Sequence, residues 1–186
     1  MPNQPIDLAE KRFAILGLPG SGKTILAKSI LDSNPRHIVI DPNGEYGGYR
    51  RWRPNRIGDS AELERFMIDV VIPWKPDLLM LDESNMYIPR APARLSPAFT
   101  MIANINRHLG ISVGTIARRP SQIHTDLLEL SSYLFVFNLP GRNDRRALED
   151  YHVGLGRAAS EIPEWHFLVA KAGAGFSLHA PIEIIE

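Results

Sequence analysis

The chain has no cysteine. Disulfides and thiolate metal sites are therefore excluded. It has no net charge either, since 21 basic residues balance 21 acidic ones, so no global field draws it onto a polyanion. No run approaches the roughly 18 apolar residues of a membrane span. The opening MPNQPIDLAE lacks the charged and apolar regions of a signal peptide. These absences lead us to expect a cytoplasmic protein with no transmembrane segment. The six histidines, at 37, 108, 124, 152, 166 and 179, show no zinc-ligand spacing. Repeats and low-complexity segments are missing as well. With 186 residues, 44% of them hydrophobic and 23% charged, the expectation is one domain over 1–186 with one full core.

Acids are also missing locally. None occurs from Tyr46 to Gly58, where Arg50, Arg51, Arg53 and Arg56 fall, and none from Ser84 to Thr125, which holds Arg90, Arg94, Arg107, Arg118 and Arg119. Arginine outnumbers lysine 16 to 5. Guanidinium forks suit bidentate phosphate contacts, although biased codon usage produces the same excess. Within the second stretch, GTIARRP (114–120) runs from small and apolar residues into two adjacent arginines. What those arginines face is the question the rest of the chain must answer.

RFAILG (12–17), HIVID (37–41), DLLMLDE (77–83), ISVGTIA (111–117) and YLFVFNL (133–139) are apolar runs of strand length. Residues 24–32, 61–71, 98–110, a short stretch near 121–130, and 141–151 read as helices. Residues 41–56 mix prolines, glycines, aromatics and arginines and read as loop, as does proline-rich 88–97. Residues 166–184 read as a closing hairpin over Gly173 and Gly175. Alternating strands and helices predict an α/β fold. Its sheet should be mainly parallel, with helices on both faces and a C-terminal β-hairpin. Ligands in such sheets sit at the carboxyl ends of the strands. Gly17, Asp82-Glu83 and Arg118-Arg119 fall there.

GLPGSGKT (17–24) fits G-x-x-x-x-G-K-[ST] between a strand and a helix. Chance would supply about 0.01 such matches in a chain of this length. The motif predicts nucleotide phosphate binding. Backbone N–H groups of Gly20, Gly22 and Lys23 would form an anion nest at a helix N-terminus. Lys23 would reach the β- and γ-phosphates, and the Thr24 hydroxyl would ligate Mg²⁺. Gly17, Pro19, Ser21 and Ile25 complete the candidate nucleotide-binding set. LLMLDE (78–83) reads as a Walker B strand. Asp82 would hold Mg²⁺ through water, and Glu83 would polarise the attacking water as general base. The expected cofactors are ATP and Mg²⁺. A hydrolysing motor needs the second acid, whereas many P-loop kinases do not.

GLPGSGKT, HIVIDPNGEYG, LLMLDES, NRHLGISVGTIARRPSQI and FVFNLPGRNDRRAL occur in that order. Together they resemble the FtsK–HerA superfamily of hexameric DNA-pumping P-loop ATPases, RecA-like in fold, from residue 12 to about residue 150. The short length is most similar to the genome-packaging ATPases of tailless icosahedral viruses with an internal membrane. The resemblance implies a homo-oligomeric, hexameric ring that hydrolyses ATP and moves double-stranded DNA. A capsid or membrane portal protein would be a further partner, in the host cytoplasm or at the packaging vertex of the virion. Asp41 and Glu45 match an acidic residue after the family's second strand. Arg107, Gly110 and the RRP triplet (118–120) match an arginine, a glycine and a polar-arginine-proline triplet. The resemblance makes Arg107 a finger reaching the neighbouring subunit's nucleotide; the alternative is a charge complementing a helix C-terminus. Arg118 stands where many cellular members carry a γ-phosphate-sensing glutamine. It is expected to face the γ-phosphate in its own subunit, unless Arg118 and Arg119 pair with Asp41, Glu45 or Glu83. Arg142, Arg145 and Arg146 are a weaker finger candidate, and with Glu149 and Asp150 beside them they also read as a solvated face.

DNA contact would fall to loops that grip phosphates without reading bases. Tyr49, Arg50, Arg51, Trp52, Arg53 and Arg56 in one loop, and Arg90 and Arg94 in another, are the candidates. Both loops also read as ordinary exposed turns. Two other functions fit parts of the pattern. One is a nucleotide or small-molecule kinase, against which Asp82-Glu83 and the RRP triplet count. The other is a nucleotide-gated assembly protein that binds ATP without turning it over.

Overall fold

The computed structural model describes residues 6–56 and 59–182. Positions 57 and 58 of the acid-free loop and 183–184 of the expected hairpin lie outside the described residues. The strands are β1 (Arg12–Leu16), β2 (His37–Ile40), β3 (Arg51–Trp52), β4 (Leu78–Leu81), β5 (Ser112–Ala117), β6 (Tyr133–Val136), β7 (Phe167–Lys171) and β8 (Gly175–His179). They form one sheet in the order β3-β2-β4-β5-β1-β6-β7-β8. Every pairing from β3 across to β6 is parallel, and β6–β7 and β7–β8 are antiparallel. The expected α/β sheet and its closing hairpin are therefore both present.

The central strands are apolar on both sides because both faces are covered. Ala14 and Leu16 of β1 pack with Leu63, Ile102, Leu127 and Leu148. Phe13 and Ile15 pack with Leu26, Ala27 and Leu31. The second face thus belongs to α1 (Lys23–Asp32). The first belongs to α2 (Ser60–Phe66), α4 (Pro97–Leu109), α5 (Thr125–Glu129) and α6 (Arg142–Tyr151), with α7 (Leu155–Ala159) behind. The helix expected over 61–71 runs further, through a π-helical stretch (Met67–Val71) into α3 (Ile72–Trp74).

Two local devices position the site. Glu64 of α2 accepts from the Ser96 hydroxyl and, at 2.8 Å, from the Ala98 N–H, which fixes the start of α4. Gly110, at φ 70°, ends α4 and donates back to the Arg107 carbonyl; a side chain at that φ would be strained. The loop read at 41–56 also holds a short edge strand, since Arg51 pairs with Val39 and Trp52 with Ile40. Because β5 lies between β4 and β1, the carboxyl ends of those three strands meet.

Candidate nucleotide site

The P-loop leaves β1 at Gly17, where an added Cβ would lie 2.6 Å from Ser21 Oγ and 2.7 Å from Phe137 Cβ. Gly20 and Gly22 take φ values of 78° and 105°, a region that glycine enters without a Cβ penalty. Pro19 and Gly20 form the exposed tip, and the Ser21 hydroxyl is buried without a hydrogen-bond partner among the described residues. Lys23 opens α1, and its ammonium donates to the Leu18 carbonyl at 2.9 Å. Burial pulls this ammonium below its usual pKa, while Glu83 and Asp82 act in the opposite sense.

Facing the loop is an acidic group from β2 and β4. Asp82 is buried, and its carboxyl is pushed up to about 7 by burial and by the charges of Glu83 and Glu45. Glu45 reaches the P-loop and accepts from the Thr24 hydroxyl at 3.1 Å. Asp41 plays a different part. Its fully buried carboxylate accepts from the N–H groups of Gly44 (2.7 Å), Glu45 (2.9 Å) and Tyr46 (3.2 Å), and from Arg51 Nη1 (2.9 Å). Asp41 shapes the turn that delivers Glu45. The two acids matched together in the sequence thus separate into a positioning group and a group in the site.

Arg118 leaves the end of β5 and donates from Nε to Glu83 Oε1 at 3.0 Å. The pairing that stood as an alternative for Arg118 is therefore the one formed. Arg119 turns the other way and donates to Asp144 Oδ2 of α6 at 2.8 Å. Glu83 sits at φ 43°, and its second oxygen, Oε2, is buried with no hydrogen-bond partner among the described residues. Lys23, Thr24, Asp82, Glu83 and Arg118 are thus brought to one place. Beside them, Gly22, Ile25, Phe137, Trp165, Phe167, Pro181 and Ile182 line an apolar pocket against the P-loop. Gly22 and Ile25 belong to the sequence motif, whereas the aromatic walls are scattered over the second half of the chain and carry no pattern there.

Arg107 is elsewhere. It lines a cleft with Lys11, Tyr133 and Lys171 at the amino ends of β1 and β6. A five-residue strand separates the two edges of the sheet by about 16 Å. The loop arginines are partly spent on the fold. Arg51 serves Asp41, Arg50 lies over Trp74 at 4.6 Å, and Trp52 stacks on Phe66 at 4.6 Å. Arg90 and Arg94 are exposed.

Residues 5–152 match the family described as Helicase HerA, central domain. The chain belongs to the HerA central-domain family, within the FtsK–HerA group. No curated protein matches the sequence. Among solved structures, the HerA-type chain superimposes on B204, the DNA-packaging ATPase from Sulfolobus Turreted Icosahedral Virus. That match has a TM-score of 0.82 at 17% identity, over 95% of this chain and 100% of that one. The genome packaging NTPase B204 from Sulfolobus turreted icosahedral virus 2, in complex with AMPPCP, matches with a TM-score of 0.78 at 16% identity, over 94% and 98%. The pCW3 conjugation coupling protein TcpA, with ATPγS, matches with a TM-score of 0.62 at 15% identity, over 93% of this chain and 60% of that one. At these identities the likeness is one of fold, and the shared fold is that of P-loop ATPases.

Proposed function

We propose that the chain is an Mg²⁺-dependent ATPase that drives double-stranded DNA translocation, working as a homo-oligomeric ring in viral genome packaging. The observation that carries the hydrolytic reading is the state of Glu83. Arg118 holds one carboxylate oxygen at 3.0 Å, and the other is buried beside the P-loop with no partner among the described residues. A carboxylate so placed can accept a proton from water. In the reaction the water oxygen bonds to the γ-phosphorus as the bond to the β–γ bridging oxygen breaks. The proton passes to Glu83, and ADP leaves.

Lys23 would exchange the Leu18 carbonyl for the β- and γ-phosphates. The Glu83 contact uses only Nε of Arg118 and leaves the Nη groups for the γ-phosphate of the same subunit. Thr24 and Asp82 would hold Mg²⁺, with Glu45 alongside. The donor set fits that ion: one hydroxyl and a buried carboxylate whose raised pKa a divalent charge would reverse. Mg²⁺ takes few protein ligands and completes its shell with phosphates and water. When bound, it neutralises charge on the β- and γ-phosphates. The apolar pocket suits a nucleobase, with the exposed Trp165 as the ring available for stacking.

Family membership and the fold shared with packaging ATPases support the DNA reading. Arg90 and Arg94, on the loop that follows Walker B, are candidates to grip the backbone. A capsid or membrane portal protein would be the partner at the packaging vertex. The test is ATP turnover against duplex DNA concentration, with native mass measured alongside, with and without nucleotide. DNA-stimulated turnover by a ring is expected. Transfer of the γ-phosphate to a small acceptor without DNA stimulation would show a kinase, and binding with negligible turnover an assembly protein.

A further inference from the structure

We propose that the arginine-lined groove between α6 and α7 is a binding site for the phosphate backbone of double-stranded DNA. The inference rests on the translocase reading above. Arg142, Arg145 and Arg146 of α6 and Arg157 of α7 line the groove, together with Glu149. The floor is backbone, since a Cβ on Gly156 would lie 2.1 Å from the Arg145 carbonyl oxygen. The two helices approach this closely only with glycine there, and the arginine stems rise on either side.

Among the described residues, none of the local acids Asp144, Glu149 and Asp150 pairs with an α6 arginine. Glu149 accepts from the N–H groups of Gly154 at 2.6 Å and Gly156 at 3.1 Å. Asp144 is buried on Arg119. Among the described residues, Arg142, Arg145 and Arg146 form no ion pair, and all three are exposed. Arg157 has a 3.5 Å contact with Glu161, both side chains being largely in solvent, which contributes little. Helix stability does not account for this pattern, because cations near a helix N-terminus oppose the macrodipole. Residues at i, i+3 and i+4 share one helix face, so the three α6 arginines present their forks together, a geometry suited to phosphates.

The groove is also wired to the nucleotide site. Asp144 ties α6 to Arg119, the next residue is Arg118, and Arg118 holds Glu83. A load on α6 therefore has a short route to the hydrolytic base. Such a connection fits duplex DNA, the substrate whose binding a translocase has to couple to turnover.

The test uses the full chain, a labelled DNA duplex of random sequence, and affinity measured against salt. Each phosphate neutralised contributes about 0.9 to the slope of log K against log salt. Arg142→Ala, Arg145→Ala and Arg146→Ala combined should therefore flatten the slope by about 2–3. The matching triple lysine variant keeps the point charges and should retain the wild-type slope. A wild-type slope in the alanine variant would make these arginines a solvated face and overturn the site while leaving the translocase reading standing. Equal loss in both variants would overturn a grip based on charge. A large fall in DNA-free ATP turnover with DNA affinity intact would assign the arginines to a neighbour's nucleotide instead. Absence of duplex binding by the wild type would overturn both the site and the translocase reading.

Discussion

Glu83 holds a backbone conformation, φ 43°, that costs a non-glycine residue about 1–3 kcal/mol. The gain is orientation: the side chain meets Arg118 and keeps one oxygen without a partner among the described residues. Glu83→Gln preserves shape and removes the proton acceptor. It should bind ATP normally and turn it over about 10²–10⁴ times more slowly, with binding and steady-state rates measured on the same preparation. Normal turnover would remove the general-base assignment. Trp165 should act through binding alone. If it stacks on the base, Trp165→Ala should weaken nucleotide affinity roughly ten- to hundredfold, and unchanged affinity would place the base elsewhere. Asp41 acts on stability. Burial pushes its carboxyl pKa up, but Arg51 and the N–H groups of Tyr46, Glu45 and Gly44 outweigh this and hold it below the usual value. Its stabilisation is therefore complete above the unfolded pKa, about 3.9, and is lost as pH falls through the lower folded value. Asp41→Asn should cost about 1–3 kcal/mol near neutrality. The two unfolding curves should converge below about pH 4; a constant gap down to about pH 3 would show that the ionised form contributes nothing.

Between elements, the adjacent arginines at the end of β5 divide their work: Arg118 faces β4, and Arg119 faces α6. Arg119→Gln keeps a donor for buried Asp144 but drops the charge. The chain should still fold and still bind DNA, while DNA stimulation of ATP turnover falls. Full stimulation would mean that α6 and the nucleotide site work independently. The RRP triplet marked this region in the sequence, but not its two directions, because α6 is brought to it only by the tertiary fold. The same limit explains the other omissions. β1, β4 and β5 were legible as apolar runs and the P-loop as a motif, since each is a local pattern. β3 is two residues long, and its identity depends on pairing with Val39 and Ile40, inside a stretch rich in loop residues. The apolar pocket gathers Gly22, Phe137, Trp165 and Pro181, whose spacing in the chain carries no period. In the sequence Glu45 is only an acid after β2, and its contact with Thr24 follows from the turn that Asp41 organises.

At the scale of the whole molecule, Arg107 and Arg118 lie at opposite edges of the sheet, so one chain cannot bring both to the same nucleotide. Arg118 already touches its own chain's Glu83, and on that contact we propose it as a cis group. For Arg107 the proposal is that it completes a site in a neighbour. A trans finger supplies about 10³–10⁵ in turnover in P-loop enzymes, so the loss of either arginine should be visible in a single variant. Mixing variants tells them apart. In a ring of Glu83→Gln and Arg107→Ala subunits, a Glu83→Gln subunit offers an intact finger to an Arg107→Ala neighbour whose base is intact. Some sites are then whole, and activity should partly return. In a ring of Glu83→Gln and Arg118→Ala subunits every site carries a lesion of its own, and activity should stay at the level of the separate variants. Recovery in the second mixture but not in the first would reverse the two assignments. Recovery in neither, from rings of confirmed mixed composition, would place Arg107 outside the interface and leave its charge to the C-terminal end of α4.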